Sequence, residues 1–185
     1  MRDGRPYTVI ATGSLFAAAA VRFGAAAALP AFCLFFAVLV AVAAVDVQRR
    51  LVPNRILRPA LVATLALLGA AAAVEGSGRA ALDAVVGGAV AFLGLALVHL
   101  LQPRGLGFGD VRLAGFIGLY LGWLGLGQVA VGLVLGFALA LIGGLVVVAT
   151  SGGGLRTRMP FAPYLAGGAV LAVFWGGPLI RAWSG

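Results

Sequence analysis

The chain of 185 residues has no lysine, one cysteine, one histidine and five acidic residues, and all 13 of its basic residues are arginine. Without lysine there is no Ser/Lys dyad and no Schiff-base chemistry. The lone Cys33, inside an apolar run, excludes an internal disulfide and any CxxC pair for zinc or redox work. It reads as a small apolar core residue. The lone His99 excludes an HExxH zinc site and a multi-histidine centre, so neither metal nor cofactor is expected. A Ser/His protease would have to bring His99 to Ser14, Ser77, Ser151 or Ser184, and none of these lies in a recognisable nucleophile turn. His99 therefore reads as a packed or interfacial residue near a helix end. Charged residues make up 10% of the chain, where soluble domains carry about 25%, and this excludes an ordinary water-soluble core.

Apolar runs are what the chain does have: 63% of its residues are hydrophobic, and the mean hydropathy is +1.13. The fold class expected is all-α, a polytopic membrane helix bundle forming one domain over residues 1–185. Hydropathy and breakers predict helices over 8–21, 25–45, 56–74, 81–101, 111–124, 127–149 and 161–180. Six of these form the core, 25–182. The first is short and contains Thr12, Gly13 and Ser14; a signal-peptide segment behind Arg2 and Arg5 is the alternative for it. Gly118xxxGly122 and Gly132xxxGly136 predict close helix packing, and Ser151 to Gly154 a loop.

The net charge of +8 does not point to nucleic acid, because the arginines sit in short gaps between apolar runs rather than on one face. They report topology instead. With a cytoplasmic amino terminus, the inner loops hold Arg2, Arg5, Arg49, Arg50, Arg55, Arg58, Arg104, Arg112, Arg156 and Arg158, and only Arg22, Arg79 and Arg181 fall outside. Removing the first helix weakens this bias without moving segments 46–55 and 102–110 from the cytoplasmic face.

Of the five acids, Asp3 lies in the tail, and Glu75 and Asp83 flank an outer loop where solvated surface roles suffice. Asp46 and Asp110 differ. Each stands at the end of an apolar run, and the two intervening crossings return the chain to the same face. Two carboxylates sharing a site cannot both ionise cheaply, so one proton is held between them, leaving one base and one acid. A water between them is then activated for attack on a carbonyl that the protonated partner polarises. Gly105, Gly107 and Gly109 remove bulk beside Asp110 and permit positive φ, so a substrate backbone can come close. Capping of the following helix is the competing role for Asp110, and Asn54 after Pro53 reads as an N-cap of the helix starting at Arg55. Read this far, an ion-binding transporter or a non-catalytic scaffold remains open.

Asp46, followed by Pro53-Asn54 seven and eight residues on, resembles the first motif of the type IV prepilin peptidases. Gly107-Phe108-Gly109-Asp110-Val111-Arg112 is similar to their GxGD motif, with Arg112 for the usual lysine. Gly118 to Trp123 and Pro160-Phe161-Ala162-Pro163 resemble two later segments, with Ala162 for the usual glycine. The resemblance implies an aspartic endopeptidase of the cytoplasmic membrane, with Asp46 and Asp110 catalytic and Pro53, Asn54, Gly107, Gly109, Arg112, Pro160 and Pro163 supporting. It implies a prepilin or pseudopilin substrate, embedded in the lipid bilayer and cut after a short basic leader on the cytoplasmic side, commonly after glycine. Arg49, Arg50, Arg55 or Arg112 would meet an acid early in the mature pilin. The paired CxxC motifs that accompany N-methylation in larger members do not occur in this sequence, so a short form acting only as a peptidase is expected.

Overall fold

The computed structural model describes residues 5–49, 51–102, 105–151 and 160–184. Arg2, Asp3, Arg50, Arg104, Arg156, Arg158 and the glycines 152–154 lie outside them. The described residues form seven helices: α1 Arg5–Phe23, α2 Leu29–Arg49, α3 Asn54–Glu75, α4 Gly78–Leu101, α5 Phe108–Leu124, α6 Leu126–Ser151 and α7 Ala162–Ser184. Among them there are no strands. This is the polytopic helical bundle expected, and five helices, α2, α3, α4, α6 and α7, are long and apolar enough to cross a membrane. The other two are shorter: α1 has an apolar stretch of Tyr7–Phe23, and α5 has 17 residues.

Helix α5 is the centre of the bundle. Of Val111 to Gly122, only Arg112 and Gly115 do not count as buried, because α2, α3, α4, α6 and α7 surround the helix. Phe32 and Phe35 of α2 pack on Phe116 and Tyr120 of α5, with Phe35 stacked on Tyr120 at 4.3 Å between ring centroids. One polar link crosses this apolar core. Thr64 of α3 spends its hydroxyl proton on the Ala60 carbonyl at 2.7 Å, so the Tyr120 hydroxyl donates to Thr64 Oγ1 at 2.8 Å. Both buried hydroxyls are thereby satisfied.

The closest pairings, α4 with α5 and α6 with α7, are made by glycine. A Cβ on Gly87 would lie 2.6 Å from the Gly118 carbonyl oxygen, and one on Gly122 would collide with the Asp83 carbonyl. Gly136 and Gly168 face each other between α6 and α7 in the same way. Lipid offers helices no hydrophobic reason to associate, so such backbone-to-backbone approach supplies the packing energy. The two small-residue spacings in α5 and α6 thus do what their sequence predicts.

The positive-φ glycines among the described residues are Gly24, Gly76 and Gly125, which terminate α1, α3 and α5. At that end of the bundle Glu75 accepts the backbone N–H of Ala27 at 2.6 Å, and Asp83 pairs with Arg79 at 3.1 Å. Both acids have the surface roles expected of them. Gly105, Gly107 and Gly109 are not among the positive-φ residues, which corrects the expectation that they bend the chain by that route.

Candidate active site

At the opposite end, the C-terminus of α2 and the N-termini of α3, α5 and α7 converge. Asp46 lies one turn inside α2 rather than terminating it, and is only 4% exposed. Its Oδ2 accepts the backbone N–H of Ala162, the first residue of α7, at 3.0 Å. The first amides of a helix have no intrahelical acceptor and carry a partial positive charge, so a buried carboxylate is well placed there. The late proline segment follows from this geometry. Pro160 leads into the turn, and Pro163, in the first turn of α7, gives up only an amide the helix does not use. The side chain of Ala162 is fully buried, so the extra methyl relative to glycine is accommodated.

Asp110 is half-buried in the first turn of α5, its N–H bonded to the Gly107 carbonyl at 3.0 Å. Gly107 itself is the N-cap, with φ of −71° and ψ of 143°, and a Cβ there would reach to 3.1 Å from Asp110 Oδ2. A Cβ on Gly109 would stand 2.9 Å from the Cβ of Val52. The glycines of the motif therefore matter for closeness: one makes room for the carboxylate, the other lets α5 abut the α2–α3 loop.

Asp46 and Asp110 open onto one cavity of about 340 Å³, which Leu51, Val52, Asn54 and Arg112 also line. The two crossings between them predict one face, and the two carboxyl groups share one space. Asn54 does not cap α3. That helix begins at Asn54, its N-cap is Pro53 with no side-chain bond, and the Asn54 Oδ1 instead accepts from the Arg112 guanidinium at 2.6 Å. Local capping preference loses to a charged donor presented by a different helix. The same guanidinium lies over the Phe108 ring at 4.7 Å. Arg49 and Arg55 are exposed nearby.

Arg112→Ala is expected to lower stability by roughly 1 kcal/mol, since it removes the exposed charged hydrogen bond that ties the start of α3 to α5. Arg112→Lys should fall between, keeping charge but not the planar stack. Thermal unfolding in bilayers of one composition checks this; equal midpoints for all three proteins would mean that the contact carries no stability.

His99, in the last turn of α4, has the packed role expected of it. Its Nδ1 lies 2.7 Å from the Leu106 carbonyl, to which only a protonated ring nitrogen can donate, and its ring approaches Phe108. His99 thus ties the end of α4 to the loop that delivers Asp110. The Gly118–Trp123 segment, by contrast, lies away from the cavity and packs α5 on α4. Among the described residues no three metal-ligating side chains cluster.

Residues 33–154 match the model of the type IV leader peptidase family. The chain is 32% identical over 179 residues to the prepilin leader peptidase/N-methyltransferase of Bacillus subtilis (strain 168), covering 95% of this chain and 67% of that protein. It is 36% identical over 179 residues to the protein of that name from Burkholderia pseudomallei (strain K96243), covering 94% of this chain and 55% of that protein. The chain thus spans between about half and two thirds of these relatives. No solved structure matches it.

Proposed function

Because this chain belongs to the type IV leader peptidase family, we propose that it is a membrane aspartic endopeptidase that removes the leaders of prepilin-like or pseudopilin precursors. The observation that carries the reading is the single cavity onto which Asp46 and Asp110 both open. In the proposed reaction the two carboxylates hold one proton. The ionised one takes a proton from water as the oxygen attacks the scissile carbonyl carbon, and the protonated one donates to the carbonyl oxygen. The tetrahedral intermediate collapses as the amide nitrogen is protonated and the C–N bond breaks, giving a carboxylate and a free amine.

The first turns of α3 and α5 line this cavity and the first amide of α7 bonds Asp46, and helix N-termini favour the negative charge that the reaction keeps there. The arginine distribution supports a cytoplasmic location for this end of the bundle, and hence a cut on the cytoplasmic side of the membrane. The leader would be short and basic, and the bond cut would lie just before an apolar segment.

The test is direct: purified protein in bilayers receives a precursor with a basic leader and an apolar segment, and the new amino terminus is identified by mass spectrometry. One cut beside the apolar segment is expected. An uncut precursor, with the protein folded, sinks the reading.

A further inference from the structure

A second hollow, of about 370 Å³, lies beside the aspartate cavity and shares Asn54 and Arg112 with it. Helix α5 is its floor, with Phe116 and Leu119; α3 is one wall, with Leu57 and Leu61; α4 is the other, with Phe92. It exists because α3 is packed only lightly on α4 and α5, whereas α4 and α5 adhere closely along their glycines. From Asn54 to Leu61 it runs seven residues along α3, about 10 Å into the membrane at 1.5 Å per residue.

The two hollows differ in chemistry. The first holds carboxylates and a guanidinium; the second is lined almost entirely by apolar side chains once past its mouth at Asn54, Arg58 and Arg112. A chain threaded through both has a peptide bond at the carboxylates and an apolar continuation inside the bilayer. Within the hydrocarbon every backbone polar group must be satisfied internally, so that continuation is helical. We propose that the groove between α3 and α4 receives the first two turns of the substrate's own apolar membrane segment, and so sets which peptide bond lies between Asp46 and Asp110. The inference rests on the peptidase reading and adds to it a binding site for the part of the substrate that is not cut.

Leu61 is 40% exposed on the groove wall, so it accepts a larger side chain without disturbing the core. Wild-type turnover of the membrane-anchored precursor is measured first; no turnover counts against the peptidase reading itself. Given turnover, Leu61→Trp is expected to raise KM for that precursor at least tenfold while kcat stays within about twofold. In an Asp110→Asn background that keeps the precursor intact, Leu61→p-benzoylphenylalanine should photo-crosslink to the first eight residues of the apolar segment. The same probe replacing Leu141, on the lipid-facing side of α6, should not crosslink to the precursor. An unchanged KM, or crosslinks from position 61 to lipid alone, overturns the groove while leaving the peptidase reading intact.

Discussion

Asp110→Asn is expected to reduce precursor cleavage by about a thousandfold or more with little change in stability. The replacement keeps the shape of the side chain and the start of α5, but an amide neither takes a proton from water nor gives one to a carbonyl oxygen. Positioned acid–base groups contribute about 10²–10⁴-fold each, and in the proposed reaction a single pair supplies both roles. Asp46→Asn should lose as much activity. Its side-chain carbonyl still accepts the Ala162 N–H, so α7 keeps its N-terminal partner and loses only the charge, a cost of about 0.3–2 kcal/mol. Cleavage and thermal unfolding measured on the same preparations separate these effects. If Asp46→Asn unfolds the protein while Asp110→Asn stays fully active, the aspartates serve architecture rather than chemistry.

The largest loss of stability is expected from Gly118→Val. A Cβ at Gly118 would run into the Gly87 carbonyl oxygen and lie 2.8 Å from the Cβ of Ala91. The first obstacle is backbone, which cannot step aside as a side-chain tip does. Overpacking costs about 1–3 kcal/mol and occasionally more, and a backbone collision belongs at the upper end. Separating α4 from α5 also displaces Asp110, so activity falls with stability. Gly94→Ala on α4 is the matched control, since a Cβ there meets nothing within 4 Å. It should be neutral or stabilise by about 0.5–1 kcal/mol, as alanine is the better helix former. Thermal unfolding in bilayer discs checks both; equal midpoints for the two variants would mean the glycine contact carries no packing energy.

The membrane bundle was legible because apolar runs and their breakers are local, and all seven predicted helices are present. The pairing of Asp46 with Asp110 was legible for a different reason. Counting crossings requires no side-chain geometry, and a chain with five acids leaves few pairs to consider. Two inferences that judged a residue by its immediate neighbours failed. Asn54 has the composition of an N-cap, yet its partner is Arg112, 58 positions away. The motif glycines look like turn formers, yet their use is to admit Val52 and the Asp110 carboxylate. The acceptor role of Asp46 toward Ala162 spans 116 positions, so only the fold explains why a proline segment late in the chain belongs with an aspartate early in it.

That Asp46 and Asp110 form one catalytic unit is tested most directly by initial cleavage rates of four proteins in identical bilayers: wild type, Asp46→Asn, Asp110→Asn and the double variant. Groups that act as a unit are non-additive, so removing the second costs little once the first is gone. The expected result is a loss of about three decades in each single variant, with the double variant no slower than the slower single one. A folded single variant that cuts within tenfold of the wild-type rate would contradict the account.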